Sequence, residues 1–311
     1  MRKPSDYVVT MGLEAAYQVA LDLGMPLLLT GEPGTGKTEF AKWAATQLDT
    51  QVLRFNTKTT SIAKDLFYRY DAIKHFREAH NQKDLTAQVN PLDYINIESL
   101  GLAIMASAAM QKQFVVLVDE IDKAPRDFPN DLLFEFEELA FRIEEANNDD
   151  FKDYNFSKHF DRNGLPPLSK NAVLPDAQGF IRTPKDVQKP LLILTSNSEK
   201  NLPDAFLRRC IFFHINFPDA ETLVKIVNNR VKPEGVYAQF LDKIVEKFRS
   251  YREQGLRKQP ATAELIQWVK TLEKKGIDPQ KLNDAETKTQ LLSTFPILAK
   301  NKDDFDKLSK Q

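Results

Sequence analysis

Residues 31 to 38 spell Gly-Glu-Pro-Gly-Thr-Gly-Lys-Thr, which is the pattern G-x-x-x-x-G-K-[ST] of a phosphate-binding loop. An apolar run of strand length, residues 25–29, precedes the loop, and a segment with helical periodicity follows it. A strand, a glycine loop and a helix in this order separate a nucleotide site from a turn that contains Gly and Lys by chance. The sequence therefore predicts a nucleoside triphosphate site in an α/β fold.

Each residue type in this loop has a physical task. Glycines let the backbone curl, so that successive N–H groups point at the phosphates with the positive end of the following helix behind them. Lys37 is placed to reach the β- and γ-phosphates, and the Thr38 hydroxyl is placed to bind Mg²⁺. The predicted nucleotide-binding residues of the loop are Gly31, Glu32, Pro33, Gly34, Thr35, Gly36, Lys37 and Thr38.

An acidic pair follows a second strand-like run. Residues 114–118 are all apolar, which is typical of a strand buried on both faces of a parallel sheet. Carboxylates that come directly after such a strand lie at the edge where α/β folds bind ligands. Asp119 is predicted to hold Mg²⁺, and Glu120 to polarise the water that attacks the γ-phosphate. The alternative is a solvated acidic turn, but the upstream phosphate loop favours hydrolysis.

The remaining chain indicates an α/β domain followed by a helical one. Short β-rich segments alternate with helix-period stretches up to Pro218, and this alternation predicts a parallel sheet with helices on both faces. Amphipathic helices follow, predicted at Ala220–Val231, Val236–Arg252 and Ala261–Lys274. The predicted fold is a P-loop NTPase with a five-stranded parallel sheet flanked by helices, then a smaller all-α lid domain. Its predicted domains are residues 1–218, with insertions near 57–91 and 142–190, and residues 219–311.

Composition narrows the class of partner. The formal net charge of the 311 residues is −1, which gives no global attraction to nucleic acid or to an anionic membrane. Cys210 is the single cysteine, so an internal disulfide framework is excluded and a reducing compartment is favoured. The sequence has no run near the roughly 18 apolar residues of a membrane span. These features predict a cytoplasmic protein without a membrane span.

The motifs together resemble an AAA+ ATPase, and the chain is most similar to the MoxR group over roughly residues 7–270. The resemblance rests on the phosphate loop, the Asp119-Glu120 strand, Thr195-Ser196-Asn197 and the run Leu202-Pro203-Asp204-Ala205-Phe206-Leu207-Arg208-Arg209. It implies hydrolysis of ATP with Mg²⁺. Asn197 matches the sensor-1 residue that helps to orient the attacking water. Asn56 is similar to the residue that holds the catalytic glutamate inactive until a partner binds.

The resemblance also gives roles to three arginines and to the N-terminal segment. Arg209, with Arg208 beside it, aligns with the finger that one subunit places against the nucleotide of the next, which implies a ring, expected to be a hexamer. The alternative for the pair is a solvated surface charge. Tyr7 and Val8 lie where the family commonly contacts adenine. The lid helix lacks the family's sensor-2 arginine in its first turn, and Arg257 just upstream is the candidate substitute.

The family likeness leaves several functions open. A MoxR-type ring implies a chaperone-like remodelling or complex-assembly machine, with a protein substrate or a von Willebrand A domain partner. The alternatives are a motor or clamp on nucleic acid, which the charge does not favour, and a nucleotide-dependent switch. The aromatic insertion near 57–91 either faces a pore or partner or uses its rings as core. The insertion near 142–190 contains a hairpin-like stretch around residues 176–179.

Overall fold

The computed structural model of the chain describes residues 6–81, 90–167, 173–197 and 201–310. The chain divides into two compact units. Residues 11–30 and 41–213 form the first, called here the sheet unit, and residues 1–10, 31–40 and 214–311 form the second, called the helical unit. The phosphate loop therefore clusters with the C-terminal helices, whereas the predicted division at residue 218 follows chain order. That predicted boundary stays a prediction.

A five-stranded sheet forms the centre of the sheet unit. Its strands are β1 (Leu27–Thr30), β2 (Val52–Asn56), β5 (Val115–Asp119), β8 (Leu191–Ser196) and β9 (Ile211–His214), in the order β2-β5-β8-β1-β9. The pairs β2–β5, β5–β8 and β1–β8 are parallel. Every residue of β5 is buried, as its continuous apolar run predicts. The predicted five-stranded parallel sheet with flanking helices is confirmed.

Helices flank this sheet, and an apolar cluster fills the space between them. Up to residue 213 the helices are α1 (Met11–Leu23), α2 (Lys37–Gln47), α3 (Ala72–Asn81), α4 (Ser99–Met110), α5 (Phe128–Glu138), α6 (Ser157–Arg162) and α7 (Asp204–Leu207). Helix α4 is apolar on nearly all sides, with Ser99 to Ser107 all buried, because it lies inside the core.

Both predicted insertions contain regular structure in the described residues. In the first, β3 (Tyr68–Tyr70) pairs antiparallel with β4 (Ile95–Ile97), which lies just beyond the insertion. Phe67 and Tyr68 are each only 2% exposed, which favours the core alternative for these two aromatic side chains. In the second, β7 (Phe180–Arg182) pairs antiparallel with β6 (Ala140–Arg142) after a turn at Asp176. Residues 82–89 and 168–172 lie outside the described residues.

The C-terminal part of the helical unit is built from helices around its own core. They are α8 (Ala220–Val231), α9 (Gly235–Gln239), α10 (Leu241–Arg252), α11 (Thr262–Lys275), α12 (Ala285–Leu292), α13 (Phe295–Leu298) and α14 (Lys302–Ser309). Trp268 is fully buried at the centre and donates its indole N–H to Thr294 Oγ1 at 2.8 Å. The single helix predicted over Val236–Arg252 is divided at Phe240, where φ is −113° and ψ is 24°. The C-terminal helical region of the predicted fold is confirmed.

Candidate functional site

The phosphate loop lies between the end of β1 at Thr30 and the start of α2 at Lys37. Gly31 and Gly34 have φ angles of 141° and 81°, which side chains rarely permit. A Cβ on Gly31 would collide with the carbonyl oxygen of Ile215, and a Cβ on Gly34 would lie 2.6 Å from the Cβ of Ala261. Glycine is therefore required at both positions, and the loop forms the cradle that a polyphosphate needs.

The lysine of the loop is buried and is held by the loop's own carbonyl groups. Lys37 Nζ donates to Gly31 O at 2.7 Å and to Glu32 O at 3.0 Å. The Thr35 hydroxyl donates to Glu32 O at 2.9 Å and tightens the same turn. Thr38, half-buried, follows in the first turn of α2. An ammonium group, backbone N–H groups and a helix N-terminus make this loop suited to phosphate, and the Thr38 hydroxyl is a hard oxygen ligand of the type that Mg²⁺ prefers.

The N-terminal segment lies against this loop. A Cβ on Gly36 would lie 3.1 Å from Cε2 of Tyr7, and the Tyr7 ring meets the Phe40 ring edge-on, with centroids 5.9 Å apart. Burial, with the nearby charge of Glu39, raises the pKa of the Tyr7 hydroxyl, so this side chain stays neutral. Val8 beside it is half-buried. The adenine-contacting role of Tyr7 and Val8 stays a prediction.

Asp119 ends β5, and two side chains of the sheet unit hold its carboxylate. Arg54, on the neighbouring strand β2, places Nη2 2.5 Å from Asp119 Oδ2. Thr195, on the other neighbouring strand β8, donates its hydroxyl to Asp119 Oδ1 at 2.5 Å. Strand order explains both contacts, because β2 and β8 lie on either side of β5. The carboxylate oxygens of Asp119 are of the chemical type that suits Mg²⁺.

Glu120 and Asn197 are brought together at the end of the sheet. Asn197 Nδ2 donates to Glu120 Oε1 at 3.4 Å, and its backbone N–H donates to Asp122 Oδ2 at 3.2 Å. Lys123 Nζ lies 2.6 Å from Glu120 Oε2 and provides the opposite charge. Glu120 is in the left-handed backbone conformation, with φ 59° and ψ 52°. A carboxylate beside an amide is suited to orienting and polarising a water molecule.

Asn56 lies on the strand next to Asp119, and the arginine pair follows the short helix α7 of the sheet unit. Asn56 is the exposed last residue of β2, in register with Asp119. Arg208 and Arg209 are exposed and follow α7, and Arg209 Nη1 donates to Ala205 O at 3.2 Å. Phe206 anchors this segment, because its ring is fully buried and packs against the Phe136 ring, with the two ring centroids 6.3 Å apart. The roles predicted for Asn56, Arg208 and Arg209 stay predictions.

Arg257 lies in the helical unit with a largely exposed side chain. Its guanidinium is 3.0 Å from Asp303 Oδ2, and 74% of the side chain is exposed. Its backbone N–H donates to Asp304 Oδ1 at 2.7 Å. Another arginine of this unit, Arg252, contacts the phosphate loop through an ion pair with the carboxylate of Glu32. The nucleotide-sensing role of Arg257 stays a prediction.

Sequence reasoning assigns no role to three residues that contact the motifs directly. They are Arg54 and Thr195, which hold Asp119, and Arg252, which holds Glu32. For Thr195 a signal exists, since it lies two positions before Asn197 in the same short motif. For the two arginines none exists, because they are separated from their partners by 65 and 220 positions.

Comparisons with known proteins concern the family of the chain rather than its individual site residues. A model of the family described as "AAA domain (dynein-related subfamily)" matches residues 26–210. Among curated proteins, the mitochondrial Lon protease homolog of Phaeodactylum tricornutum is 25% identical over 213 residues, or 68% of this chain and 19% of that protein. The chain thus spans about a fifth of the length of that relative.

Solved structures show similarity at low sequence identity. A RuvB variant from Thermotoga maritima aligns with a TM-score of 0.43 and 14% identity, covering 91% of this chain and 73% of that one. The AAA domain of FIGL-1 in complex with ADP gives a TM-score of 0.41 and 18% identity, covering 97% and 81%. Domain III of the Thermotoga maritima replication initiation protein DnaA gives 0.40 and 13%, covering 95% of each chain. In the part of the chain that the structure describes, no helix has the length and apolar character needed to cross a membrane.

Proposed function

The chain belongs to the AAA family, in its dynein-related subfamily, and from that premise we propose that it binds ATP with Mg²⁺ and hydrolyses it. Membership of the family supports a nucleotide-binding P-loop domain. The observation that supports hydrolysis is the contact between Asn197 and Glu120, directly after the strand that ends at Asp119. A binding loop alone would need neither group.

In the proposed reaction Lys37 and the N–H groups of the loop bind the phosphates, and Thr38 and Asp119 hold Mg²⁺. The metal ion, when bound, neutralises charge on the phosphates. Glu120 accepts a proton from the attacking water, and Asn197 keeps that water oriented. Asn56 is proposed to restrain Glu120 until a partner binds.

Two substitutions test the chemistry. Lys37→Ala is expected to abolish tight ATP binding, because it removes the positive charge from the β- and γ-phosphates. Glu120→Gln is expected to bind ATP normally and to lose turnover, because only the base is removed. Calorimetric titration with ATP and a phosphate-release assay measure the two effects. Turnover of Glu120→Gln near the wild-type rate would show that the assignment of the base is wrong.

We also propose that the protein assembles into a hexameric ring in which Arg209, with Arg208 beside it, acts on the nucleotide of the neighbouring subunit. The support is the exposure of both arginines on a segment anchored by Phe206. Arg209→Ala is expected to bind ATP normally but to lose turnover, because the guanidinium stabilises the transition state. The exposed Arg162→Ala, on α6, is the matched control and is expected to keep wild-type turnover.

Mixing variants tests the composite site. Arg209→Ala and Glu120→Gln each remove a different half, so mixed rings contain some interfaces in which both residues are intact. Such rings are expected to recover part of the activity. Mixed rings that demonstrably form but recover nothing would refute a role for Arg209 in the neighbouring site.

The proposed biological role is remodelling or assembly of protein complexes in the cytoplasm, of the MoxR type, with a protein substrate or a von Willebrand A domain partner. The support is the motif resemblance together with the regular structure in the described parts of both insertions and the near-neutral charge. Proteins captured by the ATP-bound Glu120→Gln variant, and absent from the Lys37→Ala control, would identify the partner. Stimulation of turnover by DNA but by no captured protein would contradict this role.

A further inference from the structure

The predicted phosphate loop contains a negative charge of its own. Glu32 is its second residue, and 51% of its side chain is exposed. A carboxylate at the edge of an anion-binding cradle repels the phosphates by Coulomb interaction. The remaining side chains of the loop do not contain a second acid that could share this charge. A nucleotide bound at this loop would therefore be repelled by Glu32 unless a neighbouring cation compensated its charge.

Arg252 provides that compensation from the C-terminus of α10. Its Nη2 contacts Glu32 Oε2, and its Nη1 donates to Pro260 O at 2.7 Å. The guanidinium also lies over the Phe217 ring, 3.6 Å from the centroid. Only 10% of the Arg252 side chain is exposed. Because a guanidinium this buried has few water molecules to hydrogen-bond, its protein partners must satisfy its N–H groups, and they fix its position.

The same arginine is connected to the loop by a second route. Pro260, which accepts the Nη1 hydrogen bond, is followed by Ala261, whose Cβ occupies the space that a side chain on Gly34 would need. Arg252 thus holds Glu32 on one side of the loop and, through Pro260, the segment that packs on Gly34. The contacts all lie within the helical unit.

We propose that Arg252 is a positioning residue for the nucleotide site: it neutralises Glu32 and fixes the loop in a shape that accepts a polyphosphate. The C-terminal helices thereby set nucleotide affinity through one ion pair. This role rests on the proposed function, since it requires that the loop binds ATP. It differs from a direct contact of an arginine with the phosphates, because its effect passes through the charge of Glu32.

The test is a double-mutant cycle of Arg252→Met and Glu32→Gln, with ATP and ADP affinities measured by calorimetry at low salt. Arg252→Met is expected to weaken ATP binding about tenfold and ADP binding less, because repulsion by Glu32 grows with ligand charge. Glu32→Gln alone keeps the backbone N–H through which Glu32 is predicted to contact the phosphates and removes only the repelling charge, so it is expected to bind ATP at least as tightly as the wild type. The double variant is expected to regain more than half of the loss on a logarithmic scale. Such rescue distinguishes charge compensation from a merely structural role.

Two further variants control for stability. Arg230→Met removes a different ion pair of the helical unit, the one in which Arg230 Nη2 lies 2.8 Å from Glu39 Oε2. This variant is expected to leave the ratio of ATP to ADP affinity unchanged. Arg252→Lys keeps the charge and is expected to bind ATP within about threefold of the wild type. If circular dichroism shows that Arg252→Met does not fold, the ATP affinity of Arg252→Lys is the measurement that tests the proposal.

Three results overturn the proposal. They are wild-type ATP affinity in folded Arg252→Met, a double variant no tighter than Arg252→Met, and loss of ATP binding in folded Arg252→Lys. A wild-type protein that binds no nucleotide would instead refute the proposed function itself. The two failures are therefore distinguishable.

Discussion

The hydroxyl group of Thr195 links the two acids of the candidate site. It donates to Asp119 Oδ1 at 2.5 Å and accepts the backbone N–H of Glu120 at 2.9 Å. Thr195 is only 1% exposed, so water cannot replace either hydrogen bond. Thr195→Val keeps the shape of the side chain but removes both bonds. It therefore isolates what this hydroxyl contributes.

The size of the effect follows from these contacts. A hydrogen bond to a charged group contributes about 1.5–3 kcal/mol, and a buried N–H without a partner costs about 1–3 kcal/mol. The methyl group that replaces the hydroxyl recovers about 0.8 kcal/mol. The free energy of unfolding of Thr195→Val is therefore expected to fall by about 3 kcal/mol. Thr195→Ser keeps the hydroxyl, loses one buried methyl group and is expected to lose only about 1 kcal/mol.

Urea denaturation followed by circular dichroism measures both variants, and a phosphate-release assay measures their turnover. Thr195→Val is expected to slow turnover about tenfold or more, because both acids lose a positioning contact. Thr195→Ser is expected to stay near the wild-type rate. If Thr195→Val is as stable as Thr195→Ser and turns over ATP at the wild-type rate, the linking role of this hydroxyl is refuted.

Two further predictions concern Arg54 and His159. Arg54→Met removes a cation that competes with Mg²⁺ for the Asp119 carboxylate. The Mg²⁺ concentration that half-saturates nucleotide binding is therefore expected to fall about threefold, which is the size of effect expected for a solvent-screened ion pair. Titration with a fluorescent nucleotide measures this concentration, and an unchanged midpoint would contradict the prediction. Burial, with the charges of Lys158 and Arg162, lowers the pKa of His159 to about 4 from 6.5, so the unfolded chain takes up this proton first and stability falls as pH drops from about 6.5 to about 4. In His159→Phe the free energy of unfolding, measured with urea, is expected to fall less between about pH 6.5 and about pH 4 than in the wild type. The same pH profile in both proteins would contradict this prediction.

The sheet and one lid helix could be predicted because their signals are local. Each of the five strands is a short apolar or β-rich run bounded by turn residues, and α8 has the predicted bounds Ala220–Val231. The break at Phe240 has no such signal, because apolar periodicity continues through it on both sides. A periodic pattern indicates which face of a helix is buried, but a single residue with non-helical dihedrals leaves that pattern intact.

The candidate site was predictable only in the part that is contiguous in sequence. The phosphate loop and the Asp119-Glu120 pair are short patterns with a fixed chemical purpose. Their supporting contacts depend on strand order, which places Arg54 and Thr195 on either side of Asp119, and on the helical unit, which brings Arg252 to Glu32. Such contacts follow from the fold rather than from any spacing. Sequence patterns therefore predicted the candidate reacting groups but not the groups that hold them.

The backbone at Glu120 gives an independent argument about that residue. A non-glycine residue in the left-handed region costs about 1–2 kcal/mol, and glycine would adopt φ 59° there at no steric cost. The surroundings hold the conformation, since Glu120 N–H donates to Thr195 and its carbonyl accepts from Lys123 N at 2.9 Å. The carboxylate is held as well, by Lys123 Nζ and Asn197. Glycine would suit this turn better, and strain kept in place by neighbouring residues is typical of a functional position. We therefore expect the Glu120 carboxylate to serve the proposed hydrolysis rather than the fold.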